Sequence, residues 1–301
     1  MLHSRHTPQD KRRALRDGLA GGELLRLPGA FSPLVARAVE QAGFDGVYVS
    51  GAVLSADLAL PDIGLTTLTE VAGRSQAIAR VTELPTLVDA DTGFGEPMNA
   101  ARTIQVLEDA GVAGCHLEDQ VNPKRCGHLD GKTISPLPDM LRRLRAAVDA
   151  RRDPGFVICA RTDVRTTEGL GATIERAKAF ADAGADLIFP EALANAAEFE
   201  ALRKAVDVPL LANMTEFGQS TLLTTTTLRD LGVNVVIYPV TLFRLAMGTV
   251  TEALRAIDAD GTQAKLVDRM QTRGELYDLL DYSGYASFDA GVLTHGYRED
   301  R

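Results

Sequence analysis

The sequence predicts an α/β fold in which eight strands close into a (β/α)8, or TIM, barrel. Strand-like and helical segments alternate about eight times over 301 residues, and one helix-to-strand motif recurs along the chain. Polar residues stand at the ends of successive predicted strands, where a barrel enzyme builds its active site. An open, doubly wound sheet is the alternative that the alternation alone would allow.

The recurring motif marks helix-to-strand junctions. It reads QAGFDGVYVS, DAGVAGCHLE, DAGADLIFPE and DLGVNVVIYP, with glycine at Gly43, Gly111, Gly184 and Gly232. Glycine readily takes the left-handed conformation that ends a helix, and the apolar run after it is typical of a strand buried on both faces. Further strands are predicted in LLRLPGAF, PTLVDADTG, FVICARTD and VPLLANMTE, and helices such as MNAARTIQVLEDA lie between them.

Composition excludes several classes of protein. The net charge of −9 argues against a nucleic-acid partner, because phosphate binding requires a basic face. Three cysteines without regular spacing indicate a reducing compartment. No signal peptide or membrane span is apparent, so we expect a cytoplasmic protein without a membrane partner.

The strand-end residues are rich in charge. They are Ser50, Asp89, Asp91, Glu118, Arg161, Asp163, Glu191, Asn213, Thr215 and Tyr238. In a barrel these positions ring a single face, whereas in an open sheet they would converge less fully. A turn requires fewer charges than this set contains, so the pattern predicts an active site.

A metal site is predicted among the carboxylates. Asp89 and Asp91 alternate in VDADTG, so a strand would point both to one side, and Glu118 ends the next strand. Oxygen ligands of this kind suit Mg²⁺, with Mn²⁺ possible, and such an ion stabilises a developing oxyanion. His116 could be a further ligand, although a core histidine is the favoured interpretation.

Arginines suggest what the substrate carries. Arg161 lies within the apolar run VICARTD, and Arg244 and Arg273 lie further along the chain. Guanidinium groups bind carboxylates in bidentate geometry, so a small molecule with several carboxylates is expected. For Arg244 and Arg273, spacing alone does not distinguish this role from solvation at the surface.

The stretch NPKRCGHLDGK, residues 122–132 and here called the lid segment, surrounds a thiol with cations. Lys124, Arg125 and His128 flank Cys126, and such surroundings predict a thiolate. Cys126 could act as a nucleophile or as a proton donor to a carbanion, and the residues leave both roles open.

Two glycines of the lid segment, Gly127 and Gly131, predict a pliant loop that closes over substrate. Cys115 and Cys159 lie within predicted strands and are interpreted as small core residues.

These motifs resemble the isocitrate lyase and phosphoenolpyruvate mutase superfamily, and most closely its 2-methylisocitrate lyase branch. KRCGH is the signature of the lyase members. The segments GVYVSGA, LPDIGLTTL, LVDADTGFG, HLEDQVNPKRCGH, ARTD, FPEA, LANMTEFG and MQTRGELY follow in the same order, over about residues 20–285.

The resemblance implies a Mg²⁺-dependent, retro-aldol (Claisen-type) cleavage of 2-methylisocitrate to pyruvate and succinate, in propionate breakdown through the methylcitrate cycle. It implies that Asp89 and Asp91 hold the metal, with Asp62 and Glu118 nearby. Cys126 would protonate the succinate fragment, and Lys124, Gly127 and His128 would shape the lid. Tyr48 and Glu118 are both candidates for the base that takes the hydroxyl proton.

The resemblance also implies substrate contacts and an assembly. The pyruvate half would be cradled by Ser50, Gly51 and Ala52. The carboxylates and hydroxyl would meet Arg161, Glu191, Asn213, Thr215, Arg244 and Arg273. We expect a single barrel domain over residues 1–301 with a helical extension over about 250–301, in a homotetramer that exchanges its last barrel helix between subunits.

The chain departs from the family pattern in two places. The cradle reads Ser50-Gly51-Ala52 where many methylisocitrate lyases have Ser-Gly-Gly, and the lid continues LDGK, between the patterns of two branches. Isocitrate or 2,3-dimethylmalate cleavage, oxaloacetate or phosphonate hydrolysis, and an inactive barrel are the alternatives. The short chain without tryptophan argues against isocitrate lyase, and we expect Phe189 to leave room for the extra methyl group.

Overall fold

The computed structural model describes residues 4–128 and 131–293, and eight parallel strands form its centre. The strands are β1 Leu25–Pro28, β2 Val47–Val49, β3 Thr86–Asp89, β4 Gly114–Glu118, β5 Val157–Thr162, β6 Leu187–Pro190, β7 Leu211–Asn213 and β8 Val235–Tyr238. The helices are α1 Pro8–Gly21, α2 Pro33–Gln41, α3 Gly51–Asp57, α4 Leu68–Ala79, α5 Pro97–Asp109, α6 Leu137–Ala150, α7 Arg165–Asp182, α8 Ala196–Ala205, α9 Thr225–Asp230, α10 Thr241–Asp260, α11 Arg273–Leu279 and α12 Tyr282–Leu293, with a 3-10 helix at Ala264–Arg269.

The strands close into a barrel. β2 to β6 pair in chain order, and β8 lies between β1 and β7. Parallel bridges between Gly29 and Tyr48 and between Ile188 and Leu210 join these two groups at both edges. The predicted (β/α)8 barrel is therefore confirmed, and the open sheet is wrong.

The glycines of the recurring motif end helices as predicted. Gly43, Gly111, Gly184 and Gly232 have φ between 71° and 99°, which is the left-handed region. Each lies just after the helix that precedes a strand, so the chain turns there without the steric penalty of a side chain.

Two apolar layers hold the barrel together. The strand residues that point inward fill its interior, and Leu15 and Leu19 of α1 pack against them. Residues that point outward from the strands pack against the surrounding helices in a second, larger cluster. The interior is a packed core, so a ligand can enter only at the strand ends.

The helices after β8 do not pack into this core. None of the described residues of α10 is buried, and Leu245, Val250 and Leu254 are among its exposed apolar side chains. The helix that follows β8 runs from Thr241 to Asp260, and the extension predicted over about 250–301 stays a prediction. Over residues 4–128 and 131–293, no helix combines the length and apolar character that crossing a bilayer requires.

Candidate active site

The carboxyl ends of the strands enclose a cavity of about 90 Å³. The predicted site residues that line it are Tyr48, Ser50, Ala52, Asp62, Asp89, Lys124, Cys126, Gly127, His128, Arg161, Glu191, Asn213, Thr215 and Arg244. Lys124, Cys126 and His128 of the lid segment line this space together with residues from the strand ends, so the segment lies over the site. The structure thus shows the site in a closed state.

The floor of the cavity carries two buried aspartates. Asp89 Oδ1 accepts a hydrogen bond from the Asp91 N–H at 3.0 Å, and its Oδ2 accepts one from the Gly51 N–H at 3.2 Å. A Cβ atom at Gly51 would lie 2.8 Å from that same Oδ2. Glycine is required there because the backbone of α3 approaches the carboxylate so closely.

The Lys124 ammonium reaches down to this floor. Its Nζ lies 2.8 Å from Asp91 Oδ1 and also forms a close ion pair with Asp62. Burial alone would lower the pKa of Lys124, but nearby carboxyl groups, led by Glu118 and Asp91, raise it well above the usual range. Burial and the charge of Asp89 raise the pKa of Asp91 to about 6.

The donor set fits a divalent cation, although no preformed cage is present. No group of three His, Cys, Asp or Glu side chains in metal-ligating geometry occurs among the described residues. Within that same part of the chain, both carboxyl oxygens of Glu118 are buried without a hydrogen-bond partner. The carboxyl groups of Asp62, Asp89 and Asp91 share one ammonium, so negative charge is in excess. Mg²⁺ takes few protein ligands and keeps several waters, so this arrangement suits it.

Arg161 stands at the centre of a carboxylate network. It donates two parallel hydrogen bonds to Asp163, at 2.9 and 3.0 Å, and its guanidinium lies 3.2 Å from Glu191 and 3.4 Å from Glu118. The guanidinium also lies over the Phe189 ring, 5.0 Å from its centroid. These contacts fix the orientation of Arg161 before any substrate arrives.

The described part of the lid segment, residues 122–128 and 131–132, covers the cavity, and its chemistry differs from the prediction; Leu129 and Asp130 lie outside the described residues. Burial raises the pKa of the Cys126 thiol, and this effect outweighs the influence of the Arg161 charge. The predicted thiolate is therefore wrong: the segment folds inward, Lys124 pairs with Asp62 and Asp91, and Arg125 donates to backbone carbonyl oxygens. A neutral thiol is suited to donate a proton and is a poor nucleophile.

Gly127 is required for close packing in the closed state, and the predicted pliancy of the segment stays a prediction. A Cβ atom there would lie 2.4 Å from Glu191 Cγ and 2.5 Å from Arg161 Nη2. The backbone of the lid segment thus rests directly on the charged network, and only glycine allows it.

His128 fastens the lid segment to two other loops. Its Nε2 lies 3.0 Å from Glu191 Oε1, and its Nδ1 lies 3.0 Å from the backbone nitrogen of Gln219. Asn213 donates its side-chain amide to the same Glu191 carboxylate, at 3.2 and 3.3 Å. The closed state therefore depends on residues from β6, β7 and the loop after β7.

Tyr48 and His116 form a buried pair beneath the cavity. The Tyr48 hydroxyl lies 2.7 Å from His116 Nε2, and Phe189 meets the imidazole edge-on with centroids 5.2 Å apart. Burial lowers the pKa of His116 to about 4, so the ring is neutral. His116 is fully buried, as expected of a core histidine, yet its partner lines the cavity.

The remaining predicted residues fall outside the cavity wall. Gly51, Asp91 and Glu118 lie just behind the residues that line it. Arg273 begins α11, is exposed, and does not line the cavity of its own chain. Arg244 lies at the mouth, where its Nη1 donates to the Glu216 carbonyl oxygen at 2.6 Å.

Sequence reasoning missed two contributors. Lys132 is buried, lies 3.9 Å from Asp163, and donates to the Gly127 carbonyl oxygen. Gln219 binds His128 from the loop after β7. The signal for Lys132 was its place in the lid segment, and the signal for Gln219 was its place just beyond a strand end.

A closed barrel with these carboxylates and a cysteine-bearing lid defines an enzyme of the isocitrate lyase and phosphoenolpyruvate mutase type. Residues 15–258 match the family model described as phosphoenolpyruvate phosphomutase, and the chain belongs to this family. The superfamily predicted from the motifs is thereby confirmed.

Proteins that match nearly the whole chain carry the name of 2-methylisocitrate lyase, and solved structures share its fold. "Probable 2-methylisocitrate lyase 2" of Corynebacterium glutamicum is 65% identical over 295 residues, which cover 98% of this chain and 96% of that protein. 2-Methylisocitrate lyase of Aeropyrum pernix is 46% identical, covering 92% of this chain and 90% of that protein. A structure of oxaloacetate acetylhydrolase with 3,3-difluorooxalacetate superimposes with a TM-score of 0.89 at 31% identity, covering 97% of this chain and 100% of that one.

Proposed function

We propose that this protein is a carbon–carbon lyase that cleaves 2-methylisocitrate to pyruvate and succinate. The observation that carries the proposal is the placement of Cys126 in the wall of the cavity that Asp89 and Arg161 also line, where burial raises the pKa of its thiol. A proton donor, a metal-binding carboxylate and a carboxylate-binding guanidinium are the groups that this cleavage needs. Relatives named as 2-methylisocitrate lyases share up to 65% of their residues with the chain, which supports the substrate.

Asp89 and Asp91 would hold the Mg²⁺ ion, with Asp62 and Glu118 nearby to receive its waters. When bound, the ion supplies positive charge that stabilises the oxyanion developing on the pyruvate fragment. Enzymes of this family are generally metal-dependent. The excess of carboxylate over ammonium at the cavity floor supports a dication in this chain.

The substrate would be held from several sides. Arg161 and Arg244 would bind its carboxylates, with Asn213 and Thr215 along the same wall. Ser50, Gly51 and Ala52 would cradle the pyruvate half. Alanine suits the third cradle position because α3 includes Ala52 and its φ is not positive.

Proton movements follow from the neighbours of two residues. Tyr48 lines the cavity and Glu118 does not, which favours Tyr48 as the group that takes the substrate hydroxyl proton. The phenol proton would pass to His116 Nε2 as the hydroxyl proton arrives on the phenol oxygen, and Asp89 Oδ1, 3.6 Å from that nitrogen, would stabilise the imidazolium that burial disfavours. The carbon–carbon bond then breaks, and the electron pair left on the succinate fragment takes the proton of the Cys126 thiol.

Substrate entry would require the lid segment to move, because Lys124, Cys126 and His128 of this segment line the cavity together with the strand ends. Closure then excludes water from the carbanion, which would otherwise be protonated at random. Lys124, Gly127 and His128 hold the closed state through Asp91, Arg161 and Glu191.

Steady-state kinetics test the substrate. The purified enzyme with Mg²⁺ would be assayed with 2-methylisocitrate, isocitrate and 2,3-dimethylmalate, and pyruvate, glyoxylate and succinate would be measured. A pocket built around one extra methyl group discriminates by about 10-fold or more, so kcat/KM should favour 2-methylisocitrate by that margin. Equal or greater kcat/KM for isocitrate would contradict the substrate, and hydrolysis of oxaloacetate alone would contradict the reaction.

We further propose a homotetramer in which α10 is exchanged between subunits. The exposed apolar side chains of α10, including Leu254 and Ile257, support a partner subunit. Light scattering after size exclusion should give four times the chain mass of 32.2 kDa, and Leu254→Arg with Ile257→Arg should reduce it. A cytoplasmic location and a role in propionate breakdown complete the proposal, and the three free cysteines support the former.

A further inference from the structure

The loop after β7 is hydrogen-bonded to the lid segment at His128. Residues 216–219, here called the β7 loop, place the Gln219 N–H 3.0 Å from His128 Nδ1 and the Gln219 side-chain amide 3.2 Å from the His128 carbonyl oxygen. A Cβ atom at Gly218 would lie 2.7 Å from His128 Nδ1. The backbone of the β7 loop therefore lies directly against the imidazole.

This contact determines the tautomer of His128. A backbone N–H can only donate, so His128 Nδ1 must accept and the ring proton must be on Nε2. Nε2 lies 3.0 Å from Glu191 Oε1, which places its proton beside a carboxylate at ion-pair distance, without the alignment of a hydrogen bond. With the other tautomer, two hydrogen atoms would meet at Nδ1, and Nε2 would present a lone pair to Glu191.

The β7 loop is itself anchored, so it can serve as a fixed support. Thr241 donates its hydroxyl to Glu216, and Arg244 Nη1 donates to the Glu216 carbonyl oxygen at 2.6 Å. The Phe217 ring packs under the Arg244 guanidinium, 5.1 Å away. One end of the loop is thus held by the start of α10 while the other holds the lid segment.

We propose that Gln219 and Gly218 are positioning residues, which hold His128 in the Nε2-protonated tautomer against Glu191 and so latch the lid segment over the active site. The inference deepens the proposed function, because the latched segment carries the proposed proton donor Cys126. The latch itself, however, makes no use of the identity of the substrate. It can therefore be tested in the resting protein.

Alkylation of Cys126 reports the latch directly. Of the three cysteines, Cys115 and Cys159 are buried in the barrel and Cys126 is partly exposed. The rate of modification by iodoacetamide, with the labelled residue identified by mass spectrometry, therefore measures how often the lid segment opens. The protein would be used as purified, without substrate.

The variants Gly218→Ala and Gln219→Ala should both open the lid segment. Loss of one hydrogen bond in Gln219→Ala should raise the alkylation rate about fivefold, and the clash in Gly218→Ala should raise it more. Gly73→Ala and Gln76→Ala are matched controls on α4, where a Cβ at Gly73 meets no described atom within 4 Å and Gln76 is exposed. These controls should react at the wild-type rate.

Gln219→Pro separates the backbone donor from the side chain. Both Gln219→Ala and Gln219→Pro lack the amide side chain, but only proline lacks the N–H that fixes the tautomer. The preceding residue is Gly218, and glycine tolerates the restriction that a following proline places on backbone conformation. Alkylation should be faster in Gln219→Pro than in Gln219→Ala, at an unchanged melting temperature.

Kinetics supply an independent readout. In Gly218→Ala and Gln219→Pro, kcat should fall about tenfold while KM changes less, because a poorly latched lid misplaces the proton donor after substrate has bound. Wild-type alkylation rates in both variants would overturn the latch. If instead wild-type enzyme fails to cleave 2-methylisocitrate while the variants alkylate faster, the proposed function fails and the latch stands.

Discussion

The Tyr48 hydroxyl lies 2.7 Å from His116 Nε2, and the two residues are the middle residues of β2 and β4. The pair joins a residue that lines the active-site cavity to a fully buried imidazole. Burial, followed by the charge of Asp89, raises the pKa of Tyr48 well above its usual range, so the phenol is neutral. A neutral phenol can accept the substrate hydroxyl proton only by passing on its own, and His116 is the acceptor within reach.

Replacement of Tyr48 should therefore impair chemistry more than binding. We expect Tyr48→Phe to lower kcat about 100-fold with little change in KM, since general-base catalysis contributes about 10²- to 10⁴-fold. The matched variant is Glu118→Gln, measured in the same steady-state assay at saturating Mg²⁺. If Glu118→Gln loses more kcat than Tyr48→Phe, the general base is Glu118 and not Tyr48.

Cys126→Ser should nearly abolish turnover. A serine hydroxyl holds its proton far more tightly than a thiol, so kcat should fall by about 10²-fold or more. Pyruvate should still bind in the presence of Mg²⁺, as isothermal calorimetry would show. Cys115→Ala is the control, because Cys115 is buried within β4 away from the cavity, and it should keep kcat. An active Cys126→Ser enzyme would remove the assignment of the proton donor.

Gly127→Ala should prevent the lid segment from closing. The added Cβ would meet Glu191 and Arg161 at 2.4–2.5 Å, inside van der Waals contact. We expect kcat to fall about 100-fold, the size of effect that a misplacement of about 1 Å produces. Gly171→Ala in α7, where a Cβ meets no described atom within 4 Å, should leave kcat unchanged. Unchanged kcat in Gly127→Ala would show that the lid closes differently.

Removal of the metal should be visible without any turnover. Mg²⁺ added to protein treated with EDTA should raise the melting temperature, because a ligand that binds only the folded state stabilises it. Asp89→Asn and Asp91→Asn should abolish that shift, whereas Asp186→Asn, at the opposite end of β5 and β6, should keep it. A full Mg²⁺-dependent shift in both Asp89→Asn and Asp91→Asn would place the metal elsewhere.

Glu83 should make stability depend on pH in the acid range. Its carboxylate accepts hydrogen bonds from the Arg5 and His6 N–H groups and from the Ser4 hydroxyl. Burial alone would raise the pKa of Glu83, but these bonds outweigh it and lower the pKa from 4.5 to about 2. The stabilisation is therefore complete above pH 4.5 and is lost as the pH falls toward 2.

Glu83→Gln should accordingly lower the free energy of unfolding by about 1 kcal/mol at pH 7. The difference from wild type should shrink between pH 4.5 and 2, as urea denaturation at several pH values would measure. Glu200→Gln on the surface of α8 is the control and should show a smaller difference. If the difference in the free energy of unfolding between wild type and Glu83→Gln stays constant over this range, the lowered pKa of Glu83 is contradicted.

Local patterns in the sequence were enough to predict the barrel. Gly111 and Gly184 could be expected to end helices from local sequence, since the ease of the left-handed conformation is a property of glycine itself. Alternating and continuous apolar runs likewise predict strands from local spacing. The strand ends then had to converge, so Asp89, Glu118 and Arg161 could be expected on one face before any contact was known.

Tertiary structure alone decided the chemistry of the lid segment. The sequence surrounded Cys126 with cations and so indicated a thiolate, but in the fold Lys124 pairs with Asp62 and Asp91, and burial raises the thiol pKa. Gln219, ninety-one residues from His128, could not be connected to it by spacing. Backbone conformation and hydrophobic period are local and can be read from neighbours in the chain. Charge pairing, desolvation and close packing depend on which distant segments meet, and only the folded barrel brings them together.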